Sequence, residues 1–257
     1  MLETMQMDDV SVDLSFSEFD ALSGWCVRGV KPGFLVSRRL KSAGVWDAGE
    51  LTDLGRELVA GLVDGHTYFN TMKYSASGME QLMIWAGGGM MTCARRHSRS
   101  VRVWSAQSCE LPAILAHFLG FVPRVTYSCG PYALPAEVGQ LIVQGNVAGL
   151  RLLLGNVGLE YEASPPQGEV PVTPLSYGLS RELWELSLVQ VFPFGVGRTE
   201  AQKDDVDRSL VYLMVPESMY AVQGQHDEAG NLVGYNVSST RPLMEWGRLI
   251  DICGGVL

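Results

Sequence analysis

Apolar positions recur along this chain with two periods, and the places where one gives way to the other outline its elements. SFSEFDALSGW puts Phe16, Phe19 and Leu22 at helical spacing behind Ser15 or Ser17 as a cap. GELTDLGRELVAGLVDG repeats Leu51, Leu54, Leu58 and Leu62 until Gly65 ends the pattern, so the first 65 residues read as helix, turn, helix. Strand formers then take over. HTYFNTMKYS predicts one strand, and EQLMIWAGGGMMTCARR predicts two joined at Gly87-Gly88-Gly89. SVRVWSA alternates Val101 and Val103 with Arg102 and Trp104, the period of a half-buried strand. SCELPAILAHFLG follows as a helix, with Ser108 as cap, Pro112 in the first turn, an apolar face of Leu111, Ile114, Leu115, Phe118 and Leu119, and Gly120 as stop.

Residues 136–154 predict one or two buried helices, broken at Gly145 or Gly149. The prolines at 165, 166, 171 and 174 read as a linker across residues 163–174. Beyond it, strands return at Leu186–Phe194, Leu210–Val215, Ser218–Gly224 and NLVGYNV. STRPLMEWGRLIDICGG predicts a closing helix capped by Ser239 or Thr240, with Leu243, Trp246, Leu249, Ile250 and Cys253 facing inward. Val101–Gly120 and Val233–Gly255 share one order of strand, hydroxyl cap, early proline, amphipathic helix and glycine stop. The expected fold is therefore α/β of the α+β kind. Two related halves, 1–162 and 175–257, each with an antiparallel sheet and packed helices, form one compact unit about a pseudo-twofold axis.

Composition narrows the function. Of 257 residues, 47% are hydrophobic and 18% charged, which supports a sizeable core and excludes a disordered chain. No run approaches the roughly 18 apolar residues of a membrane span, and the acidic start MLETMQMDDVSVD lacks the layout of a secretory signal, so a cytoplasmic location is expected. Five scattered cysteines (Cys26, Cys93, Cys109, Cys129, Cys253) fit neither a disulfide framework nor a zinc site and read as reduced thiols. The net charge of −9 falls mostly on residues 131–257, which carry 7 basic against 15 acidic side chains. Such a surface repels phosphate backbones, so no nucleic-acid partner is expected.

Catalytic patterns are missing. His66, His97, His117 and His226 stand apart from any nucleophile motif, and the Gly87 triplet leads into a strand, so its amides would not converge on a phosphate. Asp204, Asp205 and Asp207 lack the glycine and distal glutamate of a calcium loop. No metal and no cofactor are expected. An uncharacterised enzyme stays open as an alternative. So does a winged-helix regulator, since LKSAGVWDAGELTDLGRELVAGL has the sound of such a segment, although Asp53, Glu57 and Asp64 would suit a DNA groove poorly. The best candidate surface is the glycine hairpin. Trp85, Met90 and Met91 offer adaptable apolar contacts, with Arg95, Arg96 and Arg99 beside them to fix register.

The order of LKSAGVWDAGELTDLGRELVAGL, strands, SVRVWSAQSCELPAILAHFLG, central helices, more strands and a last helix resembles the EspG-type chaperones of type VII secretion. The resemblance implies two related α/β halves and a non-enzymatic role in actinobacterial ESX systems. It also implies helical partners, secreted substrates of the PE–PPE or WXG type, kept soluble in the cytoplasm for export.

Overall fold

The computed structural model describes residues 11–97, 99–122, 124, 132–165, 173–194 and 208–254. Strand β1 (Ser11–Ser15) runs into α1 (Phe16–Arg28). Ser15 and Glu18 cap α1 reciprocally: the Ser15 hydroxyl accepts from the Glu18 amide, and the Glu18 carboxylate accepts from the Ser15 amide at 2.7 Å. Helix α2 (Phe34–Ser42) and a small hairpin, β2 (Trp46–Asp47) with β3 (Glu50–Leu51), come next. The leucine run expected to be one helix is two, α3 (Asp53–Leu58) and α4 (Ala60–Asp64), because Val59 leaves the helical region. The break lets α4 lie flat on the sheet. A Cβ on Gly61 would collide with the Trp85 carbonyl and the Thr92 amide, so only glycine permits that approach.

A four-strand meander follows: β4 (Thr67–Ser75), β5 (Gly78–Gly87), β6 (Met90–His97) and β7 (Ser100–Gln107). Gly88 and Gly89, both at positive φ, make the β5–β6 turn as expected. Helix α5 (Leu111–Leu119) is entered through a 3-10 turn at Ser108–Glu110. That turn moves the cap one residue back, from Ser108 to Gln107, whose amide donates to Glu110 at 2.9 Å.

The second half repeats the order. Edge strand β8 (Tyr132–Pro135) precedes α6 (Glu137–Val143) and α7 (Val147–Ala163), separated at Gly145 with φ 63°. Helix α8 (Pro174–Ser180), capped by Thr173, starts where the proline count suggested linker. The meander β9 (Glu185–Pro193), β10 (Arg208–Val215), β11 (Ser218–His226) and β12 (Leu232–Thr240) ends in α9 (Pro242–Cys253). Leu249 and Cys253 of α9 are buried as expected, but Leu243 and Ile250 are exposed. The helix is turned by Glu245, which is 2% exposed and accepts from the Thr240 hydroxyl at 2.5 Å and from Arg248 at 3.2 Å. Thr240 thus holds a side chain of the first turn rather than capping it, and Arg241 is the cap residue.

The ten longer strands form one sheet in the order β1-β7-β6-β5-β4-β9-β10-β11-β12-β8, antiparallel throughout. From either edge inward the order is the same: a strand from before the helices, then the meander in reverse. The meanders meet at β4 and β9, paired from Thr67–Pro193 to Ser75–Glu185. Both faces are covered. On one, α5 packs beside α9 over Phe69, Ile84, Met91, Val189 and Met214. On the other, α1 to α4 cover the first meander and α6 to α8 cover the second. Fold class is therefore α+β, one antiparallel sheet with packed helices, as the sequence predicts. The segment 132–163, grouped with the first half on sequence, pairs through β8 with β12 and packs with the second.

Candidate docking groove

The hairpin residues singled out from sequence divide between the two faces of the sheet, because successive strand positions point opposite ways. Trp85 is 8% exposed, with its ring 5.1 Å from Tyr68 and 5.8 Å from Phe19, under the N-terminal helices. Met91 is buried on the opposite face, and Met90 is half-buried. Arg95 shares Met91's face, pairs with Glu80 at 2.6 Å and lies over the Phe118 ring. Burial pushes the Glu80 carboxyl up, but the Arg95 hydrogen bond and the charges of Lys73, Arg95 and His97 outweigh it and hold Glu80 below its usual range. Arg96, on Trp85's face, sits 4.2 Å above the Phe16 ring. Arg99 is exposed at the β6–β7 turn. Of this set Trp85 and Met91 are buried, while Met90, Arg95, Arg96 and Arg99 offer surface to a partner.

A larger concave surface lies at the end of the sheet where β4 turns into β5. There α7, 17 residues long, turns Leu150, Leu154, Val157 and Gly158 inward. Gly158 allows contact with α8, since a Cβ there would meet the Ser180 amide and the Leu179 side chain. Two tyrosines fix this layer. Tyr74 donates from β4 to the Ile142 carbonyl at 2.9 Å, and Tyr161 accepts from the Ala133 amide at 2.9 Å.

The outward face of α7 carries Ala148, Leu152, Gly155 and Leu159, spaced 4, 3 and 4, so they form one stripe. Leu152 is 68% and Leu159 53% exposed. With the β4–β5 turn (Ala76, Ser77, Gly78) they line a depression of about 750 Å³. Arg151 and Glu182 rim it as an ion pair at 2.6 Å, and Glu182 holds the Arg151 guanidinium charged. Across the same turn lies a second depression of about 400 Å³, walled by Arg124, Leu183, Trp184 and Pro216. Arg124 donates to the Val215 and Pro216 carbonyls at 2.6 and 3.0 Å, tying its segment to the β10–β11 turn. Ala76, Ser77 and Glu182 belong to both hollows, which makes one trough. Period reading missed it, because outward leucines on a helix already rich in inward ones blur the apolar face. The open Gly155 is the signal that could have pointed there.

The remaining candidates for chemistry lie apart. All four histidines are exposed. Burial pushes the Cys26 and Cys253 thiols up to about 12 and raises Cys93 further, so these stay protonated. Cys109 is exposed and unbridged, while Cys129 and the acidic loop of Asp204, Asp205 and Asp207 lie outside the described residues. Among the described residues no three His, Cys, Asp or Glu side chains gather as a metal site, and no helix is long and apolar enough to cross a membrane.

An all-antiparallel ten-stranded sheet with helices on both faces and a trough at its end defines an α+β architecture. The chain is similar to the type VII secretion system chaperone EspG5 of Mycobacterium tuberculosis, solved in complex with the PE25–PPE41 dimer. The likeness has a TM-score of 0.53 at 9% identity, and covers 96% of this chain and 97% of EspG5. The resemblance read from sequence thus holds at the level of fold, and this structural neighbour is a chaperone. No family model and no curated protein sequence matches the chain.

Proposed function

We propose that this protein is a cytoplasmic chaperone and adaptor, not an enzyme, which holds a helical segment of a type VII secretion substrate in the trough beside α7. The substrate is a PE–PPE pair or a WXG-type helical hairpin. The observation that carries the reading is the stripe Ala148, Leu152, Gly155, Leu159. A 4-3-4 spacing of apolar and small side chains is the seam one helix offers another. Gly155 sits at its centre, where a Cβ would meet no atom within 4 Å, so nothing among the described residues calls for glycine there. An incoming helix would use that notch for close approach. The Arg151–Glu182 pair at the rim adds little affinity at its exposure, but it sets orientation. The fold shared with EspG5, whose solved complex holds a PE–PPE dimer, supports the same class of partner.

The test is co-expression with helical PE–PPE-type or WXG-type partners of the native host, followed by size-exclusion chromatography and titration. Leu152→Glu and Leu159→Glu are expected to weaken the complex by about 2 kcal/mol or more each, the scale of an interface hot spot, with circular dichroism unchanged. A complex that survives both, but is lost on Arg96→Glu with Met90→Ala, would move the site to the β5–β6 hairpin. A protein that binds no helical partner would remove the chaperone reading.

A further inference from the structure

The corner between α1 and α2 contradicts the rest of this acidic chain. Residues 28–46 hold five cations, Arg28, Lys31, Arg38, Arg39 and Lys41, and no acid, while the rest of the chain has 14 basic against 28 acidic side chains. All five are exposed. Lys41 pairs with Asp47 at 2.6 Å and Arg39 reaches Glu18 only at 4.0 Å. Arg28, Lys31 and Arg38 make no ion pair among the described residues.

Among these cations stand Val30, Phe34 and Leu35, the last two 81% and 72% exposed. They are not stray positions of an amphipathic helix. α2 turns Leu40 inward, with Val36 and Ser37 partly covered, so Phe34, Leu35 and Arg38 share the face directed away from the protein. The same end of α2 has no side-chain cap and no acid in its first turn, whereas α1 has a full capping box on Glu18. Its first amides are left for an outside acceptor, which at a helix N-terminus favours an anion.

We propose that this corner is a docking surface for an anionic phospholipid bilayer. Phe34, Leu35 and Val30 would enter the headgroup boundary, while Arg28, Lys31 and Arg38 meet lipid phosphates. The pairing of apolar tip with basic flank selects a bilayer over an acidic protein, because a purely acidic partner gives an 81% exposed phenylalanine nothing to enter. The acidic remainder does not forbid this contact. Its repulsion is screened beyond about 10 Å, and it orients the molecule with the basic corner toward the membrane. The surface is separate from the trough beside α7, so a substrate could be held while the protein rests on a membrane.

Co-sedimentation of the full chain with vesicles of phosphatidylglycerol in phosphatidylcholine, and with phosphatidylcholine alone, tests the idea. Binding is expected to the anionic vesicles only and to fall with added salt. Each cation within reach should strengthen partition about fivefold, so Lys31→Gln with Arg38→Gln should weaken it about 25-fold. Phe34→Ala with Leu35→Ala should weaken it at least about tenfold. Both double variants change exposed side chains, and thermal melts confirm that they fold. No sedimentation, equal sedimentation with both vesicle types, or binding untouched by either double variant overturns the proposal. Capture on polyglutamate without binding to vesicles also overturns it, and assigns the corner to an acidic protein.

Discussion

Two glycines three residues apart in α7 carry opposite duties, and that contrast makes the trough testable one residue at a time. Gly158 faces α8, where a Cβ would run into the Ser180 amide and the Leu179 side chain. Gly155 faces outward into open space. Replacing a mid-helix glycine by alanine gains about 0.5–1 kcal/mol where nothing is in the way. Overfilling a packed contact costs about 1–3 kcal/mol. Gly155→Ala is therefore expected to raise the midpoint of urea unfolding and Gly158→Ala to lower it. If Gly155 serves a partner helix, the more stable variant should bind its substrate less tightly. Higher stability with unchanged binding would leave the notch without a purpose. The sequence offered little help here, since helical spacing alone does not say which glycine points inward. It misled at Trp85 for a related reason: an aromatic residue beside a glycine turn reads alike whether it faces solvent or, as here, the rings of Tyr68 and Phe19.

Among elements, those with a clean period were legible and those whose apolar residues lack a buried face were not. Every strand of both meanders could be read, because alternation or β-branched runs bounded by turns leave few other options. α2 was missed, since it buries only Leu40 and exposes Phe34 and Leu35. α8 was hidden by the proline and glycine in PLSYGLS, although Thr173 and Pro174 begin it in the ordinary way for a helix. α9 was found but rotated. Hydrophobic spacing favoured Leu243 as an inward residue, while the buried Glu245, bonded to Thr240 and Arg248, sets the actual face. The two orientations predict opposite mutational costs. Glu245→Ala removes a buried acceptor serving two donors and should cost about 2–3 kcal/mol, whereas Leu243→Ala at an exposed site should stay within about 0.5 kcal/mol. Denaturant titration of the two variants decides it, and a costlier Leu243→Ala would restore the orientation expected from sequence.

For the whole molecule, the question is whether the two halves behave as domains or as one body. The strand order, the same from either edge, makes a twofold relation between the halves an attractive reading, and we place their boundary between α5 and β8 because β8, α6 and α7 join the second meander. Yet the core argues against independence. The sheet runs unbroken through the nine-residue β4–β9 pairing, and one apolar cluster combines Phe69, Leu82 and Ile84 of the first meander with Val189, Tyr212 and Met219 of the second. α5 and α9, one from each half, pack side by side on that cluster. Separating the halves would expose a sheet edge on each side and split this core, which is a large penalty against a net stability of about 5–15 kcal/mol. Unfolding should therefore be a single transition. Tryptophan gives a convenient local probe, because Trp25, Trp46, Trp85 and Trp104 lie in the first half and only Trp184 and Trp246 in the second. Fluorescence weighted toward the first half and far-ultraviolet circular dichroism averaged over both should give the same midpoint in urea. Fluorescence that changes at lower urea than the dichroism would mean that the first half opens alone, with the β4–β9 seam as the weak joint.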